Sequence, residues 1–204
     1  MPKMLLPPGA LKRLLRKRRA WGGDRYDEVW NGVYVLMPMG DNQHQEVGYK
    51  LTSAIDQAMG GAAGVRFFAG TNVSDRKDDW RKNFRCPDVA VFLPGNPAED
   101  RETHWFGGPD FAVEIASPYD RSRQKFAFYA KVGVREVMLV GRNPWYLELH
   151  RWSGTTWDLV GRSDTDQSAP LASSVLPVSF RLLPDKPRPR IEVTTAGGHG
   201  PWIV

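Results

Sequence analysis

Two carboxylates set inside apolar runs constrain this chain more than any other feature. Val89, Ala90, Val91, Phe92 and Leu93 follow Asp88, and Phe111, Ala112, Val113, Ile115 and Ala116 surround Glu114. Runs of this kind read as buried strands. An ionised carboxylate is costly inside a sheet unless a cation or a hydrogen-bond donor meets it. Two such acids can meet if their strands pair, and together they make a hard-oxygen site suited to Mg²⁺ or Mn²⁺. Side chains alternate along a strand, so Phe111, Val113 and Ile115 fill one face and Ala112, Glu114 and Ala116 the other. Small residues beside Glu114 leave room for an ion and its waters. Lys125, about one turn into the next helix, can point its charge at the same place. Two acids and a cation are the minimum set for metal-assisted phosphodiester hydrolysis.

Each of these residues also has a plainer reading. Asp88 after Pro87 can be a turn residue that bonds local backbone. Glu114 can be one half of a salt bridge to the next helix. Lys125 and Tyr129 are four apart and share a helix face with Arg121, which can be a solvated basic stripe. His44, near a helix start, can be a cap or can contact a phosphate at the free N–H groups there. Glu28 can be a surface strand carboxylate. Trp80 and Trp105 lie in polar segments, where they either pin a loop or stack on bases.

The composition is that of a globular chain, with 41% apolar and 11% aromatic residues. At 204 residues it fits one domain with a substantial core. Cys86 is the single cysteine, so no internal disulfide forms, and no Cys/His cluster points to zinc. A packed, inert thiol is the expectation for it.

The net charge of +5 is unevenly spread. Residues 1–20 carry +7 and residues 181–204 carry +2, so residues 21–180 carry −4. The basic character therefore belongs to the ends, and the body is not a broad basic surface. No apolar run is long enough for a membrane span. The N-terminus lacks the continuous apolar stretch of a secretory signal, and a cytoplasmic location is expected.

Three segments are expected: a basic N-terminal arm over 1–20, a domain over 21–183, and a Pro/Arg/Gly-rich loose tail over 184–204. Within the arm, Leu11, Leu14 and Leu15 mark one helix face. Lys12, Arg13, Arg16, Lys17, Arg18 and Arg19 are its candidate nucleic-acid contacts. Asn31-Gly32 signals a hairpin between Tyr26–Trp30 and Val33–Met37. Gln43–Met59 reads as a helix capped by Asp41 or Asn42 and ended by Gly60-Gly61. Ser74–Arg85 reads as a polar loop. A helix capped by Asp120 or Ser122 runs to about Val132, and Arg135–Val140 is the next buried strand. Trp145–Trp152 and Thr156–Val160 read as an antiparallel pair. The order gives an α/β (α+β) fold with one central mixed sheet flanked by helices.

Several short segments, taken in order, resemble the Uma family of restriction-endonuclease-like proteins within the PD-(D/E)xK nuclease superfamily. They are Tyr26 to Gly32 with Glu28, Met37-Pro38, His44-Gln45, Pro87-Asp88-Val89, Val113-Glu114-Ile115-Ala116-Ser117-Pro118, Asp120 to Lys125 with Tyr129, Gly133-Val134, and Leu176-Pro177. The resemblance implies a restriction-endonuclease-like fold and a metal-dependent endonuclease acting on DNA, with RNA left open. It implies Asp88 and Glu114 as ligands of Mg²⁺ or Mn²⁺, with the Ile115 carbonyl as a further ligand. Glu28, His44 and Tyr129 support them. The position two after Glu114 is Ala116 rather than lysine, so the catalytic lysine is carried over to Lys125, with Lys131 as fallback. A homodimer suits an enzyme that cuts two strands. The alternative is an inactive member of the same fold, serving as a DNA-binding or protein-interaction module.

Overall fold

The structure is a computed structural model that describes residues 8–37, 39–116 and 121–204. The described residues begin with helix α1 (Pro8–Ala20), strands β1 (Glu28–Trp30) and β2 (Val33–Val35), helix α2 (Asn42–Ala58) and strand β3 (Arg66–Phe68). Short strands follow: β4 (Val73–Ser74), β5 (Phe84–Arg85), β6 (Val89–Phe92), β7 (Glu99–Asp100) and β8 (Trp105–Phe106). Then come β9 (Phe111–Ile115), helix α3 (Phe126–Lys131), β10 (Glu136–Arg142), β11 (Trp145–Trp152) and β12 (Trp157–Asp164). The last elements are β13 (Leu171–Ala172), β14 (Val178–Leu183), β15 (Arg190–Thr195) and β16 (Trp202–Ile203).

The central sheet has the order β12-β11-β10-β9-β6-β3. β9 and β10 are parallel, and every other neighbouring pair in it is antiparallel. A parallel pair needs a crossover, and here α3 lies in it. One face of the sheet is covered by α2 through Val47, Leu51, Ala54 and Ile55, which pack with Val89, Val91, Phe111, Val113 and Ile115. α3 covers the other face, where Phe128 and Tyr129 meet Ala112, Val137 and Leu139. The alternation along β9 is therefore as the sequence indicates. Burying each large apolar side chain is worth about 1.5–3 kcal/mol, which fixes the strand register.

The local signals explain the elements around the site. Asn31 and Gly32 take positive φ of 50° and 82°, which closes the β1–β2 hairpin. The Asp41 side chain accepts from the His44 N–H at 2.8 Å and caps α2. The expected helix after Asp120 is shorter than its pattern suggests. A 3₁₀ turn over Ser122–Lys125 precedes α3, so Lys125 ends that turn rather than sitting inside a helix. Asp120, with Ser117 and Pro118, lies outside the described residues.

Two expectations are corrected. The segment from 184 onward is not a loose tail. β14, β15 and β16 pair antiparallel, and Ile191, Val193 and Val204 are buried against α2's side of the core. Alternation in Arg190–Thr195 drives this, with Ile191 and Val193 inward. Ser74–Arg85 is also more than a loop: β4 and β5 bracket it and pair antiparallel, with Ser74, Asn83 and Arg85 buried. Among the described residues no helix is long and apolar enough to cross a membrane.

Candidate active site

Antiparallel pairing of β6 with β9 brings the two acids together. Val89 faces Val113, and the Asp88 N–H donates to the Val113 carbonyl at 3.0 Å. The Ile115 N–H then donates to Asp88 Oδ2 at 2.7 Å, so the Asp88 carboxylate is tied to the peptide that follows Glu114. Its other oxygen, Oδ1, lies 3.0 Å from His44 Nε2. His44 reaches it from the first turn of α2. A Cβ on Gly40 would stand 2.3 Å from His44 Nδ1, so glycine is what lets the loop pass so close to the ring.

Lys125 faces a pair of buried acids. Its Nζ lies 3.0 and 2.8 Å from the two Glu114 oxygens and 2.9 Å from Glu28 Oε1. The Tyr129 hydroxyl donates to Glu114 Oε1. Glu28 also accepts from the Cys86 N–H at 2.8 Å and from Trp30 Nε1 at 2.5 Å. Glu28, Glu114, Lys125 and Tyr129 are all buried, whereas the Asp88 side chain keeps 26% exposure. Glu28 is thus not a surface carboxylate; the hairpin carries it inward to the lysine. Lys131 does not belong to this group, because it reaches out to Asp75.

Burial and crowding shift the titration of these groups. Burial pushes the Glu114 carboxyl up to about 8; Lys125 opposes this, and the Asp88 and Glu28 carboxylates reinforce it. Burial likewise raises Asp88, against the pull of His44 and Lys125. Burial works to lower Lys125, but Glu114, Glu28 and Asp88 outweigh it and hold the ammonium above its ordinary range. Burial raises Tyr129, whose hydroxyl is kept as a donor. It also raises the Cys86 thiol, in keeping with an inert cysteine.

Other residues complete the site without having stood out in the sequence. Arg85 is buried between the faces of Trp30 and Phe128, 4.7 and 4.4 Å from the ring centres. Its Nη1 bonds the Val29 and Phe84 carbonyls and Asn83 Oδ1. Arg142 joins the two halves of the site: it donates to the Ala116 carbonyl at 3.2 Å and to Asp41, the α2 cap, at 2.7 Å. The turn that carries Lys125 is held on both sides. Arg123 donates to Glu148, and Trp157 Nε1 donates to the Phe126 carbonyl at 2.9 Å. Such long-range partners leave no local pattern in a sequence.

The aromatic loop residues are occupied. Trp105 is buried and stacks on Phe92 at 3.9 Å, and Trp80 stacks on His104 at 4.8 Å. Trp105 is thus enclosed, and Trp80, half-buried, has one face taken by His104. Trp152 and Trp157 form a cross-strand pair 5.5 Å apart, as their spacing indicates. Of the N-terminal cations, Lys12, Arg13, Arg16, Lys17 and Arg19 are exposed, but Arg18 is not free: it pairs with Asp27 at 2.6 Å.

The donor chemistry fits a hard divalent ion only in part from side chains. Glu28, Asp88 and Glu114 are three carboxyl groups beside the one Lys125 ammonium, with Arg85 spent on carbonyl and amide oxygens. Three carboxyl groups thus crowd one ammonium, and of the three Asp88 is the most accessible. Among the described residues no three His, Cys, Asp or Glu side chains converge as a metal cage. Mg²⁺ suits such a place, since it takes one or two carboxylates and keeps several waters.

A mixed sheet with α2 on one face and a lysine-bearing crossover on the other is a nuclease fold of the restriction-endonuclease-like class. Over 74% of this chain and 83% of the other, it matches the crystal structure of a putative nuclease belonging to DUF820 from Anabaena variabilis, with a TM-score of 0.58 and 17% identity. The model of the Uma2 family, described as "Putative restriction endonuclease", matches residues 19–184, and the chain belongs to that family. No curated protein matches it.

Proposed function

We propose that this protein is a divalent-metal-dependent endonuclease that hydrolyses phosphodiester bonds of DNA. The observation that carries the reading is the bond from the Ile115 N–H to Asp88 Oδ2, which sets the Asp88 carboxylate beside the strand of Glu114. Asp88, Glu114 and the Ile115 carbonyl are the groups that would hold Mg²⁺ or Mn²⁺. The ion, when bound, lowers the pKa of a water and offsets charge on the phosphate.

The chain's own residues do the rest. Lys125 orients the attacking water and balances charge developing on the phosphoryl oxygens. Tyr129 and Glu28 fix the ammonium and the Glu114 carboxylate against rotation. His44 orients the Asp88 carboxylate through Nε2, as outer-shell partners of ligating carboxylates do. Cutting both strands calls for two copies of the site, so a two-fold dimer accompanies this reading.

A second reading has an observation in its favour. Lys125 already meets both Glu114 oxygens, which is what an inactive, salt-bridged member of the fold requires. One experiment separates the two. Duplex DNA, single-stranded DNA and RNA are incubated with the protein and Mg²⁺ or Mn²⁺, while melting temperature is followed as the metal is titrated. Metal-dependent cleavage with a rising melting temperature supports the nuclease. No cleavage and no shift leave the salt-bridged module.

A further inference from the structure

The first helix is fixed to the body, and five of its six cations stand exposed on its outer side. Leu11, Leu14, Leu15 and Arg18 follow the spacing of one helix face. Leu14, Leu15 and Arg18 are half-buried, whereas Lys12, Arg13, Arg16, Lys17 and Arg19 are exposed. α1 contains no acidic residue, and among the exposed cations Arg19 has Asp24 at 3.7 Å. Five cations therefore stand along one side, covering roughly 10 Å of helix axis at 1.5 Å per residue.

Arg18 holds the helix in place. Its Nε and Nη2 donate to the two Asp27 oxygens at 2.8 and 2.6 Å, and Nη2 also reaches the Met37 carbonyl at 3.2 Å. Asp27 in turn accepts from the Tyr34 hydroxyl and the Met37 N–H, at 2.8 and 2.7 Å. The side chain of Asp27 is 1% exposed, so this is a bidentate ion pair shielded from water. Asp27 precedes Glu28, and Met37 begins the loop that leads to His44. The latch thus joins α1 to both segments that deliver those two site residues.

We propose that α1 is a fixed cationic rail for the phosphate backbone of the nucleic acid cut at the neighbouring site, latched by Arg18 and Asp27. The inference rests on the nuclease reading for its partner. Charge complementarity selects that partner, because α1 is acid-free and strongly cationic whereas residues 21–180 carry a net −4. An anionic bilayer is a poorer fit: an interfacial helix needs an outward apolar face, and here the exposed side carries the five cations while Leu14 and Leu15 are half-buried.

The test uses the full chain in EDTA, so that binding is read without cleavage. A fluorescent DNA duplex is titrated between about 50 and 200 mM salt. Changing Lys12, Arg13, Arg16 and Lys17 together to Gln should weaken binding about tenfold or more. It should also make the log–log salt slope shallower by about 0.9 for each phosphate that is no longer neutralised. Arg18→Gln keeps all five outer cations, yet it should weaken binding severalfold because the rail is no longer held. If Arg18→Gln fails to fold, the fourfold variant decides alone, since its positions are exposed. An unchanged slope in the fourfold variant overturns the proposal. So does wild-type binding to phosphatidylserine vesicles in place of duplex. A folded Arg18→Gln that binds like wild type overturns the fixed rail. Cleavage by wild type with Mn²⁺, measured separately, shows whether the nuclease reading stands when the rail does not.

Discussion

The Lys125 ammonium lies 2.8 Å from Glu114 Oε2 and 2.9 Å from Glu28 Oε1, a single buried cation between two carboxylates from different sheets. On the nuclease reading, an arriving substrate and metal would loosen at least one of these contacts.

The two central acids should be indispensable for chemistry and not for folding. Asp88→Asn and Glu114→Gln should each lower metal-dependent cleavage by about 10²-fold or more, the scale of losing a main electrostatic group. Burial disfavours a charge on Glu114, so losing that charge in Gln costs the metal-free fold little. The metal-free melting temperature at pH 7 should stay level. Cleavage as fast as wild type in either variant removes these residues from the site.

Lys125→Ala should slow cleavage by about 10²-fold while changing DNA affinity by about one phosphate contact at most. Lys125→Arg should not restore the rate, because a planar fork cannot take the place of a compact ammonium between two carboxylates. Single-turnover rates and anisotropy titrations give the two readouts. An unchanged rate in Lys125→Ala would assign Lys125 to structure alone.

Stability and metal response should change with pH in a linked way. The free carboxyl of Glu114 titrates near 4.5 and the folded one near 8. Between those values the folded protein holds a proton that the unfolded chain lacks, so metal-free stability falls as pH rises. The raised Lys125 acts only above its ordinary 10.5 and does not enter this window. Divalent ions favour the ionised carboxylate, so the melting shift induced by Mn²⁺ should grow from pH 6 to about 8. Thermal melts of wild type and Glu114→Gln across that range check both slopes; the variant's metal-free profile should be flatter.

The tether on the turn that carries the lysine gives a distinct signature. Trp157→Phe keeps a ring beside Phe126 and Trp152 but removes the bond to the Phe126 carbonyl. Losing one neutral hydrogen bond costs about 1 kcal/mol. The expected result is a severalfold fall in kcat with KM unchanged, because Lys125 is less well held and substrate contacts are intact. A rise in KM alone would place Trp157 in substrate binding instead.

Ile191→Ala should destabilise the protein by about 2–5 kcal/mol, as for other fully buried large-to-small changes. Urea denaturation measures it. A change near zero would mean that the final strands pack only loosely on the core.

The acids and their strands were legible because burial writes itself into local sequence. Val89 to Phe92 and Phe111 to Ile115 are continuous apolar runs, and a carboxylate within or beside one stands out. The β1–β2 hairpin and α2 were legible for similar reasons, through Asn31-Gly32, Asp41 and Gly60-Gly61. The contacts of Arg18, Arg142 and Trp157 were not, because their partners lie far away in the chain. Strand β15 was readable in principle. Ile191 and Val193 alternate, but prolines before them and glycines after them hide so short a pattern. Lys125 meets Glu114, and it does so from a 3₁₀ turn where the pattern indicates a regular helix.

The parallel pairing of β9 with β10 has a consequence for how such sites diverge. The chain must leave the end of β9 and travel back over the sheet before it can enter β10. It does so across the very face that Glu114 occupies. A positive charge needed there can ride on the strand itself or on the returning segment, and the point in space is the same. Lys125 stands eleven positions after Glu114, an interval set by the length of the return path. Searches that demand a fixed interval between acid and lysine will therefore pass over proteins whose geometry is intact.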